Sequence, residues 1–304
     1  MERTRPPRSV TVRANAKVNL FLKVDGLRAD GFHEIETVYH SVTLADTITV
    51  SRAGSGVTVE CSDPDVPLDS TNLAARAAEA IIRAGIGREG ALPHPFGLRI
   101  EIDKRIPVGS GLGGGSADAA GALLATDRVA GLGLAEPELE ELAEGLGADV
   151  KFLVRGGCAV GRGKGDNLER IDPLPPLPVV IVVPPVIVST AWAYRLLKIP
   201  LTTGRTRLNI VTDALKKGEI FSLRDVLEND FEKLIFDRFP ETARARDDLL
   251  GMGAQTALLS GSGSAVYGIF TDRGRAEACG ATFSRRGLRA FVAAFAARGV
   301  TTPQ

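Results

Sequence analysis

Apolar and polar positions alternate from Val10 to Val24 and again from Glu36 to Val50, where the alternation breaks at Asp46. A period of two sends successive side chains to opposite faces, so this pattern predicts one strand and then two more joined by a turn at Asp46. Gly56 to Cys61 and Leu98 to Ile106 predict two further strands. Between them, Asp69-Ser70-Thr71-Asn72 precedes an Ala-rich run from Ala74 to Ala84, and small polar side chains of this kind satisfy the free N–H groups of a first helical turn. A second Ala-rich helix is expected from Ser116, and Pro137 to Ala143 predicts a third. The glycine turn at Gly145 to Gly147 then leads through Asp149 into the apolar run ending at Leu153, which reads as a strand. Gly156, Gly157, Gly161, Gly163 and Gly165 break the hairpin that follows, with Arg162 and Lys164 beside them.

Pro173-Leu174-Pro175-Pro176-Leu177-Pro178 is the most linker-like segment, which divides the chain into domains 1–172 and 173–304. Beyond it, Val179 to Val183 predicts a buried strand. Ser189 or Thr190 caps a helix bearing Trp192 and Tyr194, which belong either to the core or to the edge of a ligand. Helical patterns recur at Asn209 to Lys217, Leu223 to Val226 and Pro240 to Gly251. Leu258 to Phe270 reads as a second glycine turn entering a strand. Met1 to Ser9, with its arginines and prolines, is expected to fray.

Composition narrows the class. The 304 residues are 44% hydrophobic, enough for one large or two modest domains. Formal net charge is zero and no basic run occurs, so neither nucleic acid nor an anionic membrane is an expected partner. The apolar run from Val179 to Val188 is too short to span a bilayer and holds Pro184 and Pro185. No apolar leader opens the chain, and its three cysteines are far apart, which fits a reducing cytoplasm and excludes a C-x-x-C zinc site.

The chemistry centres on Pro107-Val108-Gly109-Ser110-Gly111-Leu112-Gly113-Gly114-Gly115-Ser116-Ala117, which leads into the second helix. Glycines let backbone N–H groups approach an oxygen-rich ligand, and the N-terminus of the helix adds its free donors and dipole, so phosphate is the expected occupant. Gly109, Gly111 and Gly114 formally fit the dinucleotide fingerprint, yet the preceding strand is charged and ends in proline, and the residue about 20 positions on, Asp127, lies within helix. A Walker lysine is also missing. Elsewhere, Lys17 and Asn19 share one strand face. Phe32 and His33 stand together on a turn, where they could stack on a planar ring and bond its edge. Asp149 occupies a place where a carboxylate could face a cleft. Ser260 to Ser264 would let the second half approach the first glycine loop.

Three stretches, Ala16-Lys17-Val18-Asn19-Leu20, Pro107 to Ser116, and Leu259-Ser260-Gly261-Ser262-Gly263-Ser264, resemble in order and spacing the three motifs of the GHMP kinases, the galactose, homoserine, mevalonate and phosphomevalonate kinase superfamily. The resemblance covers nearly the whole chain. It implies an α+β fold of two domains, N-terminal ribosomal S5 domain 2-like and C-terminal ferredoxin-like, with the active site between them. It also implies transfer of the ATP γ-phosphate to an alcohol with Mg²⁺ present, by a chain working as a monomer or weak homodimer. Arg28-Ala29-Asp30-Gly31-Phe32-His33 and Gly147-Ala148-Asp149-Val150 narrow the likeness to members acting on a cytidine diphosphate-linked methylerythritol of non-mevalonate isoprenoid synthesis. A mevalonate or homoserine acceptor is the alternative.

By the family pattern, Asp149 accepts the hydroxyl proton and Lys17 pairs with it while stabilising developing charge. Asn19 positions the substrate hydroxyl or bridges to the phosphates. The loop from Pro107 to Ala117 wraps the phosphates, with Ser116 behind the Mg²⁺, and Asn72 and Lys104 lie at the adenine nucleotide. Phe32 and Tyr194 are expected to sandwich the cytosine, His33 to read its edge and Thr190 to assist, while Gly261 and Ser262 border the substrate. Two departures from the pattern stand out: Lys151 replaces a frequent proline, and Trp192 adds a second ring near Tyr194.

Overall fold

The protein is described by a computed structural model over residues 6–86, 96–197 and 207–303. The first five residues of the stretch expected to fray lie outside the described residues, and Ser9 already pairs with Ser51. Two long antiparallel strands, β1 (Ser9–Leu27) and β2 (His33–Ala53), form the spine, in register from Ser9 opposite Ser51 to Leu27 opposite His33. Onto β2 pair β4 (Gly97–Asp103), itself parallel to β3 (Val57–Cys61), and β5 (Cys158–Arg162), which turns back as β6 (Asn167–Ile171).

Four helices pack beside this sheet: α1 (Leu73–Gly85), α2 (Gly114–Ala130), α3 (Glu136–Glu144) and α4 (Ala148–Arg155). Helix α2 can lie close to the strands because most of its buried residues are alanine or glycine. A Cβ at Gly121 would come within 2.9 Å of Ile48.

The second half contributes β7 (Pro178–Val183), α5 (Thr190–Leu196), α6 (Leu208–Lys216), a short 3-10 turn (Ile220–Leu223), α7 (Phe231–Arg238) and α8 (Pro240–Gly251). The remaining elements are β8 (Thr256–Leu259), β9 (Val266–Ile269), α9 (Arg273–Arg285), β10 (Arg289–Ala296) and β11 (Val300–Thr301). One continuous sheet runs in the order β11-β1-β2-β10-β7-β9-β8. The last two strands return to the first half, with Phe295 opposite Val42 and Val300 opposite Ala14. No helix among the described residues is long and apolar enough to cross a membrane.

Two expectations are corrected. The chain does not turn at Asp46: β2 runs through it, and the irregularity appears instead as a register shift, from Asn15 opposite Ala45 to Ala16 opposite Val42. Asp46 is fully buried because its carboxylate accepts the backbone N–H groups of Arg105 and Ile106 and faces the Lys104 ammonium at 2.5 Å. A polar residue in that strand is therefore an internal anchor for the chain leaving β4.

The second correction concerns Asp149, which begins helix α4 where a strand was expected. Val150, Leu153 and Val154 are buried at helical spacing, and an apolar run of this length carries either period.

His40 fastens this core. Its Nε2 accepts the Leu174 N–H at 3.1 Å, so its Nδ1 carries the hydrogen and donates to the Ser41 carbonyl at 2.9 Å. The ring lies 4.3 Å from that of Phe295. Burial pushes its pKa down to about 4. A depressed folded pKa means that the unfolded chain takes up the proton first, so this contribution is complete above about pH 6.5 and is lost as pH falls toward 4. In urea titrations, the stability advantage over His40→Gln is expected to shrink by about 1.4 kcal/mol per pH unit across that window. An advantage constant from pH 7 to 5 would count against the buried neutral imidazole.

Candidate active site

A cavity of about 570 Å³ opens where the two glycine turns meet, lined from β1, β2, the start of α1, the first glycine loop, α4 and α5. Its floor is the N-terminus of α2. Gly113 takes the left-handed conformation there (φ 72°), and no side chain caps the helix. The backbone N–H groups of the first turn, at Gly114, Gly115 and Ser116, are left to point into the cavity, an arrangement that attracts anions. Gly113 is required on a second count, since a Cβ would lie 3.1 Å from the stem of Lys17.

Pro107, Val108, Gly109 and Gly111 line the same space. Ser110 also reaches it, but its hydroxyl is spent on the Pro107 carbonyl at 2.7 Å and so shapes the loop. Leu112 and Ala117 are fully buried on the core side, and the Leu112 carbonyl accepts the Lys17 N–H.

Lys17 and Asn19 do share a face of β1, as the two-residue spacing requires. Lys17 Nζ donates to Asn19 Oδ1 at 2.8 Å and lies 3.5 Å from Asp149 Oδ2. Asn19 in turn donates to Thr37 Oγ1, whose hydroxyl passes the chain on to the Phe21 carbonyl. The Lys17 side chain is 5% exposed and that of Asp149 32%, so a buried cation holds a carboxylate that still reaches solvent.

From the second half, the Gly261 N–H donates to Asn19 Oδ1 at 3.0 Å, and the Ser260 hydroxyl donates to the Gly111 carbonyl. Asn229 secures this turn by donating to the carbonyls of Leu259 and Gly261. Ser262 and Thr190 meet at 3.1 Å on the cavity rim. All three motif stretches thus converge on the Lys17–Asp149 pair.

At the other end stand rings. His33 and Tyr194 lie with centroids 4.7 Å apart, and Tyr194 is braced edge-on by Phe231. Phe32 is exposed, with Lys164 Nζ 5.1 Å from its ring centre. Trp192 turns away from the site and packs on Phe239. The departure at Lys151 is accommodated on the outside of α4 by an ion pair with Glu144 at 3.0 Å.

Asn72 and Lys104 both line the cavity but carry structural duties as well. The Asn72 side chain caps α1 by accepting the Ala74 and Ala75 N–H groups. Lys104 sits between Asp46 and Asp118, 2.8 Å from the latter. Burial raises the Asp118 carboxyl to about 8 against the pull of Lys104.

Among the cavity-lining residues not singled out as site residues from sequence are Tyr39, Lys164 and Asp118. Of these, only Lys164 carried a signal, a cation between the glycines of a hairpin turn. Tyr39 and Asp118 sit at positions that pattern alone reads as core.

Comparison with known proteins gives this geometry its family. Residues 72–159 match the model of the GHMP kinases N terminal domain, and residues 211–287 match the GHMP kinases C terminal model. The 4-diphosphocytidyl-2-C-methyl-D-erythritol kinase of Syntrophotalea carbinolica is 42% identical over 91% of this chain and 96% of its own length. That of Gloeobacter violaceus is 40% identical over 94% of each. A crystal structure of 4-(cytidine 5'-diphospho)-2C-methyl-D-erythritol kinase superposes with a TM-score of 0.78 at 34% identity, over 94% of this chain and 99% of the other. Homoserine kinase from Cytophaga hutchinsonii shares the fold, at a TM-score of 0.77 and 21% identity over the full length of both chains. The chain belongs to the GHMP kinases, within the family of 4-diphosphocytidyl-2-C-methyl-D-erythritol kinases.

Proposed function

We propose that this enzyme transfers the γ-phosphoryl group of ATP to the 2-hydroxyl of 4-diphosphocytidyl-2-C-methyl-D-erythritol, giving the 2-phosphate and ADP. The observation that carries this reading is a cavity that holds an uncapped helix N-terminus and the Lys17–Asp149 pair and has Tyr194 and Lys164 in its wall, with His33 against Tyr194 and Phe32 under Lys164 just outside its lining. The donors of Gly113 to Ser116 take the phosphates of ATP, and Asn72 and Lys104 border its base. Asp149 accepts the proton of the attacking hydroxyl, Lys17 balances the charge that develops, and Asn19 fixes the lysine.

Phe32 and Tyr194 offer faces for the cytosine and His33 a polar edge, with Thr190, Gly261 and Ser262 closing the rim. Lys164, in the cavity wall and over the Phe32 ring, suits the diphosphate. For Mg²⁺, the fit is to the phosphate oxygens with the Ser116 hydroxyl beside them. A hard cation of this kind is held mostly through substrate oxygens and water. The ion supplies charge neutralisation on the phosphates. The domain division at 172/173, a cytoplasmic setting and a monomer or weak homodimer belong to the same proposal.

The test is ADP release with ATP and Mg²⁺, offering the cytidylyl alcohol beside mevalonate, homoserine and galactose. Turnover of the cytidylyl compound alone supports the reading. Preference for mevalonate or homoserine would transfer the activity to another branch of the superfamily and leave the His33–Tyr194 pair without a use. In the same assay His33→Ala is expected to raise the KM for the cytidylyl alcohol about tenfold or more, in line with a lost hydrogen bond and ring contact, and to spare that for ATP. Equal rises in both KM values would remove His33 from base recognition.

A further inference from the structure

Lys17 Nζ leans on Asn19 Oδ1 at 2.8 Å, closer than its 3.5 Å from Asp149 Oδ2. That contact exists only while the Asn19 amide presents its oxygen to the ammonium. A reversed amide would set its NH₂ against the Lys17 ammonium and the Gly261 N–H, both of which can only donate.

Thr37 of β2 removes that freedom. Its hydroxyl has one hydrogen, which it donates to the Phe21 carbonyl at 2.7 Å. A carbonyl can only accept, so toward Asn19 the Thr37 oxygen is an acceptor, and the atom that meets it at 2.8 Å must be Nδ2. The amide is thus fixed from both ends, its nitrogen by Thr37 and its oxygen by Lys17 and Gly261. Both Thr37 and Asn19 are buried, so bulk water cannot stand in for either partner.

The Thr37 side chain is itself seated. Gly161 of β5 stands opposite it, and a Cβ there would come within 3.1 Å of Thr37 Cγ2, so the bare glycine makes room for the methyl group. The Phe21 carbonyl lies at a register shift, between Asn19 opposite Tyr39 and Phe21 opposite Val38, where an extra residue interrupts the β1–β2 pairing. Satisfying that carbonyl accounts for a hydroxyl at position 37 and leaves its second bond, to Asn19, unexplained.

We propose that Thr37 is a positioning residue for the phosphoryl transfer: it sets the orientation of the Asn19 amide and, through it, the place of the Lys17 ammonium. The inference rests on the reading of Lys17 as the cation that balances the developing charge. Fixing a reacting group within a narrow geometry is worth large rate factors, and those factors appear in kcat.

Thr37→Val keeps the volume and deletes the hydroxyl, leaving the buried Asn19 NH₂ without its acceptor. It is expected to lower kcat about tenfold, with both KM values within about twofold. Thr37→Ser keeps the hydroxyl and gives up the methyl beside Gly161, so it should retain most of kcat whatever it loses in unfolding midpoint. A hydroxyl with only a structural duty would not separate rate from stability in this way. In the Asn19→Ala background, Thr37→Val should cost no further kcat. An unchanged kcat in Thr37→Val, an equal loss in Thr37→Ser, a raised KM at unchanged kcat, or losses that multiply in the double variant would each overturn the inference. Thr37→Ala deletes the hydroxyl in a smaller side chain, so the test stands even where valine fails to fold, and full kcat there would contradict the proposal. Should Lys17→Ala itself keep full kcat, the charge-balancing reading fails first and takes this role with it, a result that this one variant tells apart from the others.

Discussion

Asp149→Asn is expected to lower kcat by on the order of 10²-fold or more, with the KM for ATP within a few-fold of the unaltered enzyme. The substitution keeps shape and volume and removes the capacity to accept a proton together with the charge that faces Lys17. The carboxylate sits in the first turn of α4, 3.5 Å from Lys17, whereas the phosphate donors belong to α2. On the proposed reading, chemistry and ATP binding are supplied by different helices, so removing the one should spare the other. Steady-state ADP release at saturating substrates measures the effect. A kcat that survives the change would transfer the proton to water or to ATP itself and reduce the Lys17–Asp149 pair to a structural contact.

The second large effect is expected at Gly111. Its φ of +81° already excludes most side chains, and an added Cβ would stand 2.1 Å from the Ser260 carbonyl oxygen and 3.1 Å from the Gly263 nitrogen. The Ser260 turn cannot simply retreat. It is tied back by the Ser260 hydroxyl on the Gly111 carbonyl, by Ala265 N–H on the Ser110 carbonyl, and by Gly261 N–H on Asn19. Gly111→Ala thus combines a left-handed backbone penalty with overpacking, together about 2–5 kcal/mol of stability. Because Asn19 and the phosphate loop move with the turn, kcat/KM should fall for both substrates. Gly133→Ala is the control: its φ is +65° but nothing lies within 4 Å, so only the smaller backbone cost applies and the kinetics should stay put. Equal unfolding midpoints for the two variants would show that the close approach at Gly111 is not a constraint.

What could be read in the sequence follows from how local the signal is. The glycine loop, the Asn72 cap and the Lys17/Asn19 pairing depend on neighbours within a few residues, and the structure has each of them. Strand β2 was misread at Asp46 because the partners that bury it, Lys104 to Ile106, lie more than fifty residues on. Helix α4 was misread because eight residues of apolar character fit either period until the buried face is known. Helix α9 was passed over although Ala276, Cys279, Gly280 and Phe283 follow helical spacing, since small residues give that spacing little hydrophobic contrast. Tyr39 was invisible as a site residue for a different reason: a tyrosine on a buried strand is ordinary, and only the fold brings it to the cavity wall, stacked on Phe152 of α4 and against Gly165.

The return of β10 and β11 to the first half bears on how the enzyme is made. Val42 of β2 and Ala14 of β1 find their partners at Phe295 and Val300, so a ribosome has delivered almost the entire polypeptide before the opening strands can close their ladder. Pairings this distant in sequence slow folding and leave strand edges open meanwhile. The nascent first half is thus expected to wait in a partly assembled, protease-sensitive form, and competence for ATP should arrive in one late step rather than domain by domain.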